Sequence, residues 1–187
     1  CARAQYTLGW RYAYNNRSEA IYWIKMAAEQ GYDMAKIAIA NIYRSNTQNY
    51  EEQSKAVEIY KELATENNFL ALYGLAVCYY QGIGIEQDID TAMVLINKSA
   101  ELGYAQALTD LGTLYCGGGI NISQDYDKAI DLFTKAAEQG FPIAQVYLGK
   151  MYENGWGVEQ DMNKAKKLYD KAERQGFNLQ MLQMQQQ

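Results

Sequence analysis

The residues that could carry out chemistry in this chain are few, and their types exclude the commonest catalytic sites. Histidine is absent from the 187 residues, which removes the most frequent general base and the most frequent metal ligand together. The three cysteines, Cys1, Cys78 and Cys116, are too few for a disulfide scaffold, and without histidine they make a poor zinc site. We therefore predict that Cys78 and Cys116 are ordinary helix residues, with no metal and no cofactor bound.

Two glycine-rich motifs and two aspartate pairs share only part of the pattern of a ligand loop. Gly82-Ile-Gly84 and Gly117-Gly-Gly119 end a helix and are not followed by Lys-Ser/Thr, unlike a phosphate-binding loop. Asp88-Ile-Asp90 and Asp125-Tyr-Asp127 lack the glycine and the distant glutamate of a calcium loop. No serine begins a Ser-x-x-Lys motif. The sequence therefore predicts a protein that is not an enzyme.

Charge and hydropathy narrow the class of partner. The formal net charge is −5 and the isoelectric point is about 4.8, whereas a nucleic-acid binder usually has a basic face. The longest apolar run, Leu70 to Tyr80, is too short for a membrane span. Cys1 could carry a lipid anchor as in a processed bacterial lipoprotein, but we favour an ordinary cysteine because the first repeat begins at Ala4. The compartment, bacterial cytoplasm or periplasm, stays open.

The elements that must position these residues repeat with a period of about 36 residues. Alanines that precede an apolar helical stretch recur with spacings of 36, 36, 37 and 36 residues, and a second series runs half a unit ahead of the first. Two series with one period predict about five units of two helices each. The first series is Ala20, Ala56, Ala92, Ala129 and Ala165, and the second is Ala4, Ala35, Ala71, Ala107 and Ala144.

Each repeated feature has a physical role. Small residues such as Gly112 and Gly149 let helices approach closely. The Gly-x-Gly after a first helix permits positive φ and turns the chain, and the glycine of Ala-Ala-Glu-Gln-Gly stops the second helix. Aspartates cap the start of the second helix; they are Asp88, Asp125 and Asp161. A tyrosine at one position of each first helix is assigned to the core; these are Tyr43, Tyr79, Tyr115 and Tyr152.

The string A-x3-L-G-x2-Y-x2-G-x-G, followed by D-x2-K-A and K-A-A-E-Q-G, resembles the Sel-one-like repeat, a helix-pair unit related to the tetratricopeptide repeat. The resemblance covers nearly the whole chain and implies an all-α fold, a right-handed α/α superhelical solenoid of about five helix-pair repeats with a C-terminal capping helix. We predict one domain over residues 1–187, with repeats at approximately 1–31, 32–68, 69–103, 104–140 and 141–176. The cap covers 177–187 and uses Leu179, Met181 and Leu182.

The first two repeats depart from this pattern. The first has the short connector Ala13 to Ser18 and lacks Gly-x-Gly, whereas the second has Asn46-Thr-Gln-Asn49 in its place. The second also carries Ala40 for the glycine and ends in Ala64-Thr-Glu-Asn-Asn68. We expect these loops to take another shape, while the helix faces keep the fold.

The first helices of a solenoid usually line its concave surface, and their non-consensus positions are the candidate partner-binding residues. The first repeat stands out because three aromatic residues form an i, i+4, i+8 stripe, and Trp and Tyr are frequent at interface hot spots. The alternative is that this stripe packs on its own second helix or on a preceding repeat. The candidates are Tyr6, Trp10, Tyr14, Ile37, Asn41, Tyr73, Val77, Gln81, Thr109, Thr113, Val146, Tyr147 and Lys150.

The function predicted from these features is a non-enzymatic protein–protein interaction module, an adaptor or scaffold that binds a partner protein on the concave face. The resemblance leaves two alternatives. One is an immunity protein that neutralises a secreted bacterial toxin effector, for which the acidic charge would suit a basic target. The other is a β-lactam-binding or β-lactam-hydrolysing repeat protein, although the related cysteine-rich family pairs cysteines within each repeat and this chain does not.

Overall fold

The secondary structure is entirely helical in the part of the chain that the computed structural model describes, residues 1–12, 16–118 and 122–177. Ten α-helices and no strand occur there, which confirms the predicted all-α repeat solenoid. The predicted cap, with Leu179, Met181 and Leu182, lies outside the described residues apart from Phe177. The helices are α1 (Ala2–Tyr12), α2 (Arg17–Glu29), α3 (Asp33–Arg44), α4 (Tyr50–Thr65), α5 (Phe69–Gln81), α6 (Ile89–Glu101), α7 (Ala105–Gly117), α8 (Tyr126–Glu138), α9 (Pro142–Asn154) and α10 (Met162–Arg174).

The helices group into two compact units, Cys1–Lys98 and Ser99–Gln187. In the first unit each of α1 to α4 contacts the helix that follows it, and α3 also contacts α5. In the second unit α7 to α10 follow the same scheme, and α7 also contacts α9. An interior first helix such as α3 or α9 is therefore packed against three other helices. The repeat boundaries and the handedness of the superhelix stay predictions.

Small residues on the first helices face large side chains on the second helices, as predicted. A β-carbon added to Gly112 would lie 2.5 Å from the ring of Phe133, and one added to Gly149 would lie 2.5 Å from the ring of Tyr169. Phe133 is fully buried, so its ring has no room to move away. The repeat alanines are also buried, with the exception of Ala4. Close helix approach is thus achieved by pairing a small residue with a ring.

Aspartates begin the second helices, which confirms the predicted caps. The carboxylate of Asp125 accepts a hydrogen bond from the Lys128 amide at 3.0 Å, and that of Asp161 accepts one from the Lys164 amide at 2.9 Å. Asp88 accepts from the Thr91 hydroxyl and amide. These hydrogen bonds lower the pKa of the three carboxyls, because they favour the charged form.

The lysine of the D-x2-K-A motif covers the repeat tyrosine of its own unit. The Lys128 ammonium lies 5.1 Å from the centre of the Tyr115 ring, and the Lys164 ammonium lies 5.0 Å from that of Tyr152. Both distances are within the range of a cation–π contact. The two tyrosines are half-buried against the core cluster of the second unit. The motif therefore serves the scaffold, as predicted for the tyrosines.

The Gly-x-Gly turns use their two glycines differently. Gly82 has φ 70° and ends α5, with space for a β-carbon around it. Gly84 has φ 66°, and a β-carbon there would lie against the carbonyl carbon of Gln53 and 2.7 Å from the amide nitrogen of Ser54. The second glycine therefore lets the turn rest directly on the backbone of α4. Positive φ at both glycines confirms the predicted turn.

One of the loops expected to take another shape has the ordinary shape of the repeat, so that expectation is wrong for the end of α4. Asn67 adopts φ 57°, the left-handed conformation that glycine takes after α2, α6, α8 and α10. The Asn68 amide donates to the Leu63 carbonyl at 3.3 Å, as the Phe141 amide does to Ala136 at 3.2 Å. Asparagine reaches this conformation at low cost. The connector of the first repeat includes residues 13–15, which lie outside the described residues.

Candidate partner-binding grooves

A groove in the first unit gathers four of the predicted partner-binding residues. It has a volume of about 370 Å³ and lies between α1 and α3, with one residue from the start of α5. None of its lining residues is charged. We call it groove one; it is lined by Tyr6, Trp10, Met34, Ile37, Ala38, Asn41, Ile42, Ser45 and Leu70.

The two aromatic residues of groove one have different surroundings. Tyr6 is half-buried, and its ring meets the ring of Tyr32 edge-on with centroids 5.3 Å apart. Trp10 contacts Tyr6 edge-on at 6.1 Å and keeps 52% of its surface exposed. Packing on the following repeat thus accounts for much of the burial of Tyr6, and Trp10 is the more exposed of these two residues. Tyr14, the third member, lies outside the described residues.

Groove one also has a fixed polar group and an apolar floor. The hydroxyl of Tyr60 donates to the Asn41 side-chain oxygen at 2.7 Å, which orients the exposed Asn41 amide. Burial raises the pKa of the Tyr60 hydroxyl above its ordinary value, because burial disfavours the charged form. Ile37 is only 5% exposed and forms part of the floor. An apolar side chain could be buried here next to an amide that accepts or donates hydrogen bonds.

A groove in the second unit gathers three more of the predicted residues. It has a volume of about 310 Å³ and contains two aromatic stacks. Tyr147 stacks on Phe133 at 5.2 Å, and Trp156 stacks on Tyr126 at 6.1 Å. We call it groove two; it is lined by Thr113, Cys116, Gly117, Tyr126, Tyr147, Lys150, Met151 and Trp156.

Lys150 carries the charge of groove two, and Trp156 is its exposed aromatic residue. The Lys150 ammonium lies 5.8 Å from the centre of the Tyr147 ring, and burial raises the pKa of the Tyr147 hydroxyl. Trp156 is 42% exposed and was not among the predicted residues. Its position in the sequence is the middle of the Gly155–Gly157 turn, where the repeat pattern fixes the two glycines but not the residue between them.

Three predicted residues are wrong as surface positions, since Ile37 is only 5% exposed and Thr109 and Val146 are each 1% exposed. The Thr109 hydroxyl is satisfied within its own helix, where it donates to the Ala105 carbonyl at 2.7 Å. The assignment assumed that a first helix buries one face and exposes the opposite one. In the structure α9 contacts α7, α8 and α10, so only a narrow strip of the helix reaches the surface.

The three candidates on α5 line neither groove. Tyr73 and Val77 are half-buried and Gln81 is exposed.

Burial raises the pKa of the buried Cys78 thiol on α5 to about 11, which disfavours a thiolate nucleophile. No group of three potential ligands among Cys, Asp and Glu side chains is arranged for a metal in the described residues. Within the same residues, no helix has the length and apolar character to cross a membrane.

The Sel1 repeat profile matches four stretches of the sequence, residues 2–32, 70–104, 105–141 and 142–177. Together these matches span most of the chain. The stretch between the first and second matches contains α3 and α4, and it lacks the glycines of the repeat pattern.

Solved structures share the fold. A Sel1 repeat protein from Oxalobacter formigenes superposes with a TM-score of 0.78 at 24% identity, covering 95% of this chain and 74% of that protein. An immunity protein from Pseudomonas aeruginosa gives a TM-score of 0.71 at 22% identity, covering 94% and 65%. At these identities the likeness shows the fold alone.

A curated relative is the DAP3-binding cell death enhancer 1 of Rattus norvegicus. It is 30% identical over 99 residues, which is 53% of this chain and 19% of that protein. The matched region is therefore about a fifth of the length of the curated relative.

Proposed function

We propose that this chain, which belongs to the Sel1 repeat family, acts as a non-enzymatic adaptor or scaffold that binds a partner protein in groove one. Members of the family generally mediate protein–protein interactions and are generally not enzymes. The observation that carries the proposal is Trp10, whose ring is 52% exposed at the edge of an uncharged groove. A partner side chain in this groove would cover the ring and remove apolar surface from water.

The energetics favour Trp10 as the central contact. Burying an aromatic side chain at the centre of an interface often contributes about 2 kcal/mol or more, because a large rigid surface loses contact with water while little conformational entropy is lost. Tyr6 supports the indole from one side at 6.1 Å, so the ring is preorganised. Asn41, oriented by Tyr60, would pair with a polar backbone group of the partner.

We propose groove two as a separate contact site in the second unit. Trp156 is stacked on Tyr126 with ring planes 6° apart, and it borders the same cavity as the predicted residues Thr113, Tyr147 and Lys150. Lys150 gives this groove a positive charge that groove one lacks, so the two grooves are suited to different segments of a partner.

Site-specific photo-crosslinking tests the assignment of groove one. A benzophenone amino acid replaces Met34, an exposed residue that lines groove one beside Trp10, in one variant and Tyr50, an exposed residue at the start of α4, in the matched control. We expect a single crosslinked partner from position 34, competed by unlabelled wild-type protein and lost with Trp10→Ala, and a much weaker crosslink from position 50. Equal crosslinking at both positions, or crosslinking only at position 50, would contradict the site.

Two observations favour the immunity alternative. The fold is similar to that of an immunity protein of Pseudomonas aeruginosa, and the net charge of −5 would attract a basic toxin. In this reading the partner bound in groove one is a secreted effector. A toxin gene next to the gene for this chain, and rescue of growth when both are expressed together, would support it. Rescue should be lost with Trp10→Ala. Unimpaired toxicity in the presence of the wild-type chain would exclude this alternative for that toxin.

A further inference from the structure

A third groove, of about 290 Å³, lies between the second helices α8 and α10, above α9. Its floor is apolar and includes Leu148, which is buried, and the half-buried Leu168. Three lysines of α10 line one edge, and Glu138 of α8 lies on the other side. We call it the lysine groove; it is lined by Thr134, Ala137, Glu138, Leu148, Tyr152, Lys164, Lys167, Leu168 and Lys171.

The charge of α10 differs from that of the protein as a whole. This helix, with the sequence MNKAKKLYDKAER, carries five basic and two acidic side chains, whereas the whole chain has a net charge of −5. The corresponding edge of α8 carries Lys128, Asp131 and Lys135. There the central acidic residue pairs with a lysine, since the Asp131 carboxylate lies 2.6 Å from the Lys135 ammonium. The unbroken row of lysines is thus a feature of α10.

Lys167 and Lys171 differ in their ion pairing from Lys164, the third lysine of the edge. Lys164 lies 3.7 Å from the Asp161 carboxylate and covers the Tyr152 ring, as the repeat pattern requires. Lys167 and Lys171 form no ion pair with any residue in the described ranges 1–12, 16–118 and 122–177. Lys171, in the last turn, also interacts favourably with the helix dipole. Lys167 lies in the middle of the helix and has no such role.

We infer that the lysine groove binds an acidic peptide segment of a partner protein, with an apolar side chain on the floor and carboxylates facing Lys167 and Lys171. The charge of the edge selects carboxylates, and the apolar floor selects a neighbouring side chain such as leucine. This surface is formed by the second helices α8 and α10 together with α9 and shares no residue with groove one, so the inference can be tested independently of the proposal for groove one.

Other anionic partners fit the groove less well. An amphipathic helix that binds a lipid surface needs a free apolar face, but the apolar side of α10 is packed, with Ala165 and Ala172 buried. Binding of single-stranded nucleic acid relies on open aromatic faces, but the Tyr152 ring in this groove is covered by Lys164. A short acidic peptide requires neither feature.

A fluorescence anisotropy titration tests the inference. The probe is a labelled 12-residue peptide with one leucine flanked by aspartate and glutamate, and the two control peptides replace either the leucine by serine or the acids by their amides. We expect the wild-type chain to bind the probe, and the double variant Lys167→Gln/Lys171→Gln to bind it about tenfold more weakly. Lys166→Gln is the matched control, because Lys166 is exposed on the same helix but does not line the groove.

A charge swap separates this site from general electrostatics. The variant Lys167→Glu/Lys171→Glu should prefer a peptide in which lysines replace the acids. Helix content and the urea midpoint of each variant are measured first, so that a loss of folding is not taken for a loss of binding. The inference is overturned if wild type does not bind the probe, if Lys166→Gln weakens binding as much as the double variant, or if vesicles with phosphatidylglycerol or a single-stranded oligonucleotide compete better than the acidic peptide.

Discussion

Replacing Gly84 by alanine should destabilise the first unit more than replacing Gly82, although both glycines have nearly the same backbone conformation. Their φ angles are 66° and 70°, so alanine at either position incurs the left-handed penalty of about 1–2 kcal/mol. The difference lies in what the new β-carbon meets. At Gly82 the nearest atom is the Gln87 β-carbon at 3.5 Å, which is ordinary van der Waals contact.

At Gly84 the new β-carbon would meet the backbone of α4. The Ser54 amide nitrogen would lie 2.7 Å away, and the carbonyl of Gln53 would be closer still. Backbone in a helix cannot turn aside as a flexible side chain can, so relief requires the turn to move away from α4. Overpacking of this kind costs about 1–3 kcal/mol, and the movement also breaks the 3.2 Å hydrogen bond from the Ser54 hydroxyl to the Gly84 carbonyl.

Urea unfolding followed by circular dichroism measures the difference between the two variants. We expect Gly84→Ala to lose about 1–3 kcal/mol more than Gly82→Ala, and its melting temperature to be lower by roughly 2–12 °C, at about 2–4 °C per kcal/mol for a chain of this size. The loss of stability in Ser54→Ala alone measures the contribution of this hydrogen bond. Equal losses in the two glycine variants would refute the reasoning, since the contact with α4 would then contribute nothing.

Four further outcomes follow from burial and exposure. Trp10→Ala should change the free energy of unfolding by less than about 1 kcal/mol, against about 3–5 kcal/mol for Phe133→Ala; a comparable loss in urea titrations would place Trp10 in the core instead of at a binding surface. Burial raises the pKa of Tyr60 above its ordinary 10.0, so the folded state holds this proton more tightly than the unfolded state, and stability falls as the pH rises above about 10. Tyr60→Phe should flatten that fall, and an unchanged slope would contradict it. Ellman's reagent should label the exposed Cys1 in the native protein and Cys78 only on unfolding, because that thiol is buried with a pKa of about 11; fast native labelling of Cys78 would count against the structure. Nitrocefin should be hydrolysed no faster than in buffer, and saturable turnover would revive the β-lactam alternative.

The scaffold was predictable because its residues repeat. The alanine series recurs in five copies, and the capping aspartates and the Gly-x-Gly turns recur in three, so each physical task can be recognised by its fixed spacing. The prediction failed at Asn67, where the absence of glycine suggested another loop shape. The backbone requires a left-handed residue there, φ 57°, and asparagine meets that requirement almost as well as glycine. The repeat pattern was defined by the residue type at each position, whereas the fold requires only a residue that can adopt the correct backbone conformation.

The binding surface was only partly predictable, because a helical wheel describes one helix and burial depends on its neighbours. Trp10 and Asn41 are exposed and line groove one, and their role in binding stays a prediction. Ile37, Thr109 and Val146 are buried instead, since first helices in the interior of a unit contact helices on more than one side. The spacing of residues within α9 does not reveal how closely α7 and α8 approach it. The width of the exposed strip of α9 could therefore be read only from the tertiary structure.

The contrast within α10 shows where function can arise in such a repeat. Lys164 belongs to the repeat pattern, and its charge is engaged with Asp161 and the Tyr152 ring. Lys167 lies one turn further along at a position that the pattern does not fix, and its charge faces a groove. A residue required by the scaffold has its polar groups paired within the fold, so few of them are available to bind a partner. Trp156 is a similar case with an apolar side chain: it lies between two glycines that the turn requires, at a position that the pattern does not fix, and its ring is exposed. Partner specificity in this chain should therefore change through substitutions at such positions, at little cost to folding.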